Sequence, residues 1–308
     1  MGPSREEVVG VVVTYFPELS ALRELLAAAR PQVAALVIID NTPADAPAAR
    51  RCPPMDGAEI VSLGFNAGLA AGLNRGCEWA RARGASFALL FDQDSVPAPD
   101  MLERLADAWS AAGTSGLRVA AAGPRFLDDR GARVFPFLRM GLLRNRVVVP
   151  RPSDEFVRTD ILITSGCLLA LGCIDEVGPM DESLFIDNVD VEWGFRARAR
   201  GWALIGAPQA TLKHRIGDEH VVAPRWARLL GKDRAIRHGP QRLYYMTRNR
   251  IRLYWLPHVP LAWKAQDLLR LPAKILLSLW LAQDRSGVAR ALARGVLDGL
   301  ANRGGVMR

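Results

Sequence analysis

Lysine is nearly missing. The 308 residues hold four, Lys213, Lys232, Lys264 and Lys274, and all of them come after residue 200. A nucleotidyltransferase would normally carry a glycine- and lysine-rich phosphate loop, which puts that enzyme class behind others able to use a similar sheet. Cysteine is as sparse. Cys52, Cys77, Cys167 and Cys173 show no C-x-x-C spacing and sit among apolar neighbours, the pattern of reduced, mostly buried thiols in a cytosolic protein. No stretch approaches the roughly 20 apolar residues of a membrane-spanning helix, and "ILLSLWLA" from Ile275 is far too short. The opening "MGPSREEVVGVVV" has neither a basic n-region nor a small-residue cleavage site, so no secretory signal is expected. There is no G-x-G-x-x-G fingerprint, which argues against a dinucleotide cofactor, and no internal repeat.

What remains is ample for a core. Half of the residues are hydrophobic, enough for one large domain or one domain with an appendage. The net charge of +8 is unevenly placed. From Val222 to Arg308 there are 17 Lys and Arg against four acids (Asp233, Asp267, Asp284, Asp298), a balance of +13; the other 221 residues hold 23 bases and 28 acids, a balance of −5. That divides the chain into residues 1–221 and a basic region, 222–308, suited to an acidic surface such as anionic lipid or nucleic acid.

"EVVGVVVTYF" (Glu7–Phe16) is continuous and β-branched, as in a strand covered on both faces. A helix with Leu19, Leu22, Leu25, Leu26 and Ala29 at helical spacing follows. "ALVIIDN", "AEIVSL" and "SFALLF" read as three further strands, the last preceded by a helix ending near Arg83-Gly84. Alternation of this kind predicts βαβ units in a mainly parallel sheet, an α/β fold whose ligands sit beyond the carboxyl ends of the strands. Asp40 and Asp92 occupy such ends and should face one crevice. Farther on, "DILITSGCLLAL" reads as strand, turn, strand, and "DNVDVEWGFRARARGW" as a helix with acids at its start, arginines at its end and Gly201 to stop it.

Four groups carry chemistry. In "FALLFDQDSVPAP" a buried strand delivers Asp92 and Asp94, one residue apart, to its tip, with prolines stiffening the exit. Hard divalent cations favour one or two carboxylates with substrate phosphates in other positions, and a metal so held neutralises a departing diphosphate. In "GFNAGLAAGLNRG", glycines at 64, 68, 72 and 76 would line one helix face for a close backbone approach, while Asn66 and Asn74 offer amides to a sugar or nucleotide. Asp187 and Asp190 would share a face at a helix start, where mutual repulsion would raise one pKa and make a general base. His214, one of four histidines, follows a strand and would complete a metal site with Asp94.

Together these pieces resemble the inverting family-2 glycosyltransferases of the GT-A fold, from Val8 to about Gly217: "VVVTYFP", "IIDN", "GFNAGLAAGLNRG", "LFDQDS" and "LFIDNVDVEW". "FIDNVDVEW", "HRIGD", "YYMTRNR" and "GVLDGLANRGG" are similar to bacterial rhamnosyltransferases of O-antigen and other surface polysaccharides, or of rhamnolipid synthesis, where a second rhamnose is added. The resemblance implies that Thr14, Asp40 and Asn66 contact the donor nucleoside and that Asp92 lies near ribose and metal. It implies further that Asp94 ligates Mg²⁺ or Mn²⁺, that His214 adds a ligand, and that Asp190 is the catalytic base, with Asp187, Glu192 and Gly166 supporting. The chain departs from the pattern at Phe16, where relatives often have Asn.

The implied donor is a nucleotide-diphospho-sugar, dTDP-L-rhamnose, and the implied acceptor a lipid-linked saccharide or glycolipid. The basic 222–308 region, with Trp226, Tyr244, Tyr245, Tyr254, Trp255, Trp263 and Trp280, reads as a helical extension lying on the inner face of the cytoplasmic membrane, so the chain is expected to be cytoplasmic and peripherally membrane-bound. Nucleic acid is the rival partner for the same basic region. Long aliphatic runs and the lack of an RNA- or DNA-binding motif argue against it.

Overall fold

The computed structural model of the chain describes residues 2–128, 134–142, 144–214, 219–222, 224 and 234–307. It forms two compact units. The first takes in Met1–Gly141, Asn145–Glu182 and Val189–Arg215; the second takes in Leu142–Arg144, Ser183–Asn188 and Ile216–Arg308.

The first unit is built on β1 (Val8–Thr14), whose seven residues are all buried, as a run of valines covered on both faces requires. Helix α1 (Leu19–Ala29) buries the stripe Leu22, Leu25, Leu26 and Ala29, and the Glu18 carboxylate caps it by accepting from the Ser20 and Ala21 N–H groups. Strand β2 (Ala35–Asp40) pairs parallel with β1, and β3 (Glu59–Ser62) parallel with β2. Helix α2 (Leu69–Ala82) leads to β4 (Phe87–Asp92), parallel to β1 on its other side. The sequence reading of these elements holds to within a few residues.

Beyond β4 come β5 (Ser95–Pro97), α3 (Met101–Thr114), β6 (Val119–Asp128), β7 (Val134–Phe135), β8 (Phe137–Arg139), β9 (Arg146–Val148), β10 (Val157–Thr159) and β11 (Leu168–Ala170). The short α4 (Ile174–Val177), α5 (Val189–Ala199) and β12 (Ala203–His214) complete the unit. The main sheet runs β10-β12-β6-β11-β4-β1-β2-β3, with β5 on β12 and β7 on β6. β6 and β12 are parallel to each other, while β11 stands antiparallel between β6 and β4, so the sheet is mixed beyond its parallel half.

Three expectations are corrected. Gly64 and Gly68 lie before α2, at φ +75° and +92°, and only Gly72 and Gly76 sit on the helix face. A Cβ on Gly72 would come 2.7 Å from Val13 Cγ1, and one on Gly76 would overlap Val11 Cγ1, so these two let α2 lie close on β1. In "DILITSGCLLAL" only the second strand forms, since Ile161 makes an isolated bridge to Leu138. The helix at Asp187 begins two residues late: Asp187 and Asn188 are left-handed, both at φ +63°, so Asp187 and Asp190 do not share a helix face. Gly201, at φ +81°, does stop α5.

In the second unit, β13 (Glu219–Val222) pairs antiparallel with β14 (Arg234–Arg237), and three helices follow: α6 (Pro240–Trp255), α7 (Leu261–Leu281) and α8 (Arg285–Leu300). Phe185 stacks on Tyr245, with ring centroids 4.9 Å apart, in a small core with Tyr244 and Ala291. Among the described residues no helix is long and apolar enough to cross a membrane. Trp226 and residues 215–218 of "HRIGD" lie outside the described residues, as does the side chain of His214.

Candidate active site

Strand register gathers the acids. Thr14, the last residue of β1, stands opposite Asp40, and Val13 opposite Asp92, so both carboxylates emerge at the carboxyl end of the parallel strands on either side of β1. Two strand spacings separate them, about 10 Å. Both sit at the same end of the sheet, in register with adjacent residues of β1.

Asp40 is buried and held from one side. Thr14 Oγ1 donates to Asp40 Oδ1 at 2.9 Å, and the Thr42 N–H and hydroxyl donate to the same oxygen at 3.1 and 2.7 Å. All three bonds fall on Oδ1. Phe16 has φ +47°, a left-handed conformation that Asn tolerates far better than an aromatic residue, and its N–H donates to Thr42 Oγ1 at 3.0 Å. The polar contact here therefore comes from the backbone, while the ring lies under the Arg50 guanidinium, 4.3 Å from its carbon.

Gln93 and Asp94 form the turn between β4 and β5. The Gln93 carboxamide is locked across to β1: its Oε1 accepts from the Tyr15 N–H at 2.8 Å, and its Nε2 donates to the Tyr15 carbonyl at 3.3 Å. Ser95, fully buried, donates from its hydroxyl to the Asp92 carbonyl at 2.7 Å and lies 2.7 Å from the Ser165 hydroxyl, which also accepts from the Asp92 N–H at 3.2 Å. Sequence reading missed Gln93, Thr42 and Ser165. The only signals were the middle residue of the D-x-D triplet, the Thr after "IIDN" and the Ser before Gly166.

His214 is placed by backbone register opposite Ser95, so β12 brings it beside the turn that carries Asp94. Oxygen donors with an imidazole suit Mg²⁺ or Mn²⁺. Among the described residues no three His, Cys, Asp or Glu side chains gather into a metal site by themselves. A hard cation held by two carboxylates takes its other positions from water and phosphate, so the half-buried Asp92–Asp94 pair fits such a cation bound with a diphosphate.

Gly166 follows Ser165 in the loop before β11. It has φ +71°, its N–H donates to the Leu90 carbonyl at 2.6 Å, and a Cβ there would come 2.7 Å from Pro124 Cγ. The next residue, Cys167, is buried, and its thiol pKa is pushed up by burial first and then by the negative charge of Asp190. Asp190, half-buried in the first turn of α5, is thus close to a segment whose Ser165 binds the backbone of Asp92. Its Oδ1 accepts from the Val191 N–H at 2.8 Å.

Other singled-out residues make bonds within the fold. Asn74 is buried; its Nδ2 donates to the Met180 carbonyl at 3.0 Å and to Glu182 Oε1 at 2.9 Å, and its Oδ1 accepts from the Met180 N–H at 2.9 Å. That amide is committed to tying α2 to the 180–182 segment. Asn66 Oδ1 accepts from the Gly68 N–H at 3.1 Å and starts α2. Glu192 is buried and takes two bonds from Arg196, at 2.9 and 2.8 Å, while Arg196 also donates to the Val177 and Pro179 carbonyls. In the second unit, Asp187 Oδ1 lies 3.5 Å from the Arg242 guanidinium.

Residues 10–158 match Glycosyl transferase family 2. Over 256 residues the chain is 30% identical to dTDP-rhamnosyl transferase RfbF of Shigella flexneri, a match covering 82% of each chain. Its fold is similar to that of GalNAc-T7, solved with UDP, GalNAc and Mn²⁺, at TM-score 0.57 and 12% identity over 96% of this chain and 56% of that one. S. aureus TarS is similar at TM-score 0.50 and 12% identity, over 95% of this chain and 55% of that one. The chain thus spans about half the length of these two solved structures, and at such identity they speak to the fold alone. The chain belongs to glycosyl transferase family 2: it is a glycosyltransferase with the GT-A fold, its sheet parallel over β3-β2-β1-β4, flanked by helices and followed by a helical extension.

Proposed function

We propose that the chain transfers L-rhamnose from dTDP-β-L-rhamnose, with inversion, to a hydroxyl of a lipid-linked or glycan acceptor in surface-polysaccharide assembly, working at the inner face of the cytoplasmic membrane. The rhamnosyl relative supports the choice of sugar and nucleotide. The observation that carries the reaction is the link from Asp92 through Ser165 to Cys167, whose thiol feels the Asp190 charge. That connection supports reading Asp92 as part of the leaving-group site and Asp190 as its base.

Thr14, Asp40 and Asn66 bind the nucleoside, with Asp40 Oδ2 as the acceptor left for a ligand hydroxyl or N–H. Asp92 and Asp94, with His214, would hold Mg²⁺ or Mn²⁺, whose charge would offset that of a departing diphosphate. Asp190 takes the proton of the acceptor hydroxyl while that oxygen attacks the anomeric carbon. The bond from that carbon to the phosphate oxygen breaks in the same displacement, and a β-linked donor gives an α-rhamnoside. Gly166 sets the path of the Ser165–Cys167 segment, and Glu192 braces α5 through Arg196. Residues 1–221 act as the catalytic domain and 222–308 as its extension, with Ser183–Asn188 belonging to the same compact unit as that extension.

The test is a turnover and thermal-shift comparison of dTDP-β-L-rhamnose with UDP- and GDP-sugars, with Mn²⁺ and with chelator, the product anomer being read by NMR. Stabilisation and transfer specific to dTDP-rhamnose, loss in chelator and an α-linked product are the expected results. Asp94→Ala should leave no metal-dependent rate; undiminished transfer in chelator would overturn the cation reading, and preference for another sugar nucleotide the donor.

A further inference from the structure

The first half of helix α7 is inside out. Its buried face carries Gln266 and Asp267, and Asp267 accepts from Arg250 at 3.0 Å, from Lys274 at 2.8 Å and from the Tyr254 hydroxyl at 2.7 Å. Its exposed residues, Arg270 apart, are Leu261, Ala265, Leu268, Leu269, Pro272, Ala273, Leu276 and Trp280. Those eight positions recur at steps of three and four, so they form one continuous stripe along the helix. Leu269 is 82% exposed and Leu261 79%. Helices that bury their polar side and turn leucines outward are made for surroundings that are not water.

Charge decides between the possible surroundings. At 100° per residue, Lys264 borders one edge of the stripe, its ammonium donating to the Leu256 carbonyl at 2.7 Å, and the exposed Arg270 lies past the other edge, beyond Gln266. Asp267, Asp284 and Asp298 are the only acids between residues 234 and 307, and Asp267 and Asp298 are buried. An apolar stripe with Lys264 at its edge and Trp280 near its end, in a region with 17 Lys and Arg against four acids, matches an anionic lipid surface, where leucines enter the acyl boundary and basic groups meet the headgroups. A second copy of the chain would bring the same cations against themselves.

We infer that the Leu261–Trp280 face of α7 is the surface by which this chain lies on an anionic lipid layer. The inference rests on the proposed membrane-borne acceptor and names the element that reaches it. The experiment is flotation of the full chain with phosphatidylcholine vesicles, with and without phosphatidylglycerol, beside L269E/L276E and the milder L269A/L276A. Wild type should float with the anionic vesicles and shed when salt is raised. The glutamate pair should lose about tenfold or more in partitioning and the alanine pair less, at unchanged dTDP-rhamnose thermal shift. The alanine pair decides the matter should the glutamate pair fail to fold. Wild-type flotation by both pairs, no flotation by wild type, or a wild-type dimer that L276E splits would each overturn the inference. Donor binding and transfer to a soluble acceptor report on the proposed function separately, so either idea can fail alone.

Discussion

The Asn249 amide nitrogen donates to the carbonyl of Asp187, 62 residues earlier, at 2.9 Å, and to the carbonyls of Ile186 and Leu184 at 2.7 and 2.8 Å. The neighbouring Arg248, fully buried, donates to the Ser183 and Leu184 carbonyls and through Nε to Asn249 Oδ1. One amide and one guanidinium thus hold a segment in which Phe185, Asp187 and Asn188 are all left-handed. Such conformations cost on the order of 1–2 kcal/mol per residue for side chains of this kind and persist only where something holds them.

Asn249→Leu keeps much of the volume and removes all three donations. A buried acceptor left without its donor costs about 1–3 kcal/mol, so the variant should lose about 2 kcal/mol or more in urea unfolding. Unfolding at the wild-type midpoint would mean that the segment is held by something else.

Asp190→Asn keeps the shape of the side chain and removes its basicity. General-base contributions run to about 10²–10⁴-fold, so kcat should fall by that order while the thermal shift with donor stays at its wild-type value. Equal loss of donor binding would point to a role in holding the nucleotide instead.

The close approach of α2 to β1 depends on Gly76, because a Cβ there overlaps Val11 in the middle of a fully buried strand. Gly76→Val should cost about 1–3 kcal/mol by overpacking, read as a lowered Tm. Gly84 is the control, since a Cβ there meets nothing within 4 Å; at φ +79° it calls for Asn as the replacement, and Gly84→Asn should move Tm little.

Legibility followed the physics of burial. β1, β2 and β4 were plain because a strand covered on both faces must be apolar throughout, and the carboxylates at their tips stand out against that run. β6, "VAAAGPRFLD", lacks such contrast, and no local pattern says that β11 will enter the sheet antiparallel. Asn74 reads the same in sequence whether its amide meets a sugar or the Met180 backbone, a contact 106 residues away. Asp187 looked like a helical acid because composition carries helix preference but not the left-handed turn that Asn249 enforces from a distant helix. In α7 the aliphatic residues were visible; that they face outward depends on Asp267 finding Arg250, Tyr254 and Lys274.

The four thiols, all free, give a pH dependence whose sign is fixed. Burial raises Cys52 from an ordinary 9.0 to about 11, with the Asp40 charge adding to it. Burial likewise raises Cys77 and Cys173 to about 12 each, and moves Cys167 upward too. A group whose folded pKa is raised holds its proton in the folded state after the unfolded chain has released it. The associated stability is therefore complete below about pH 9 and drains away as pH climbs toward 11 and 12. Tm should fall progressively from about pH 9 upward, and Cys77→Ala should flatten part of that fall. At about pH 8 the native thiols should resist iodoacetamide, which attacks thiolate, and react only when urea opens the fold. Rapid labelling of Cys77 in the native protein would contradict the tight seating of α2 on β1 as well as the shift itself.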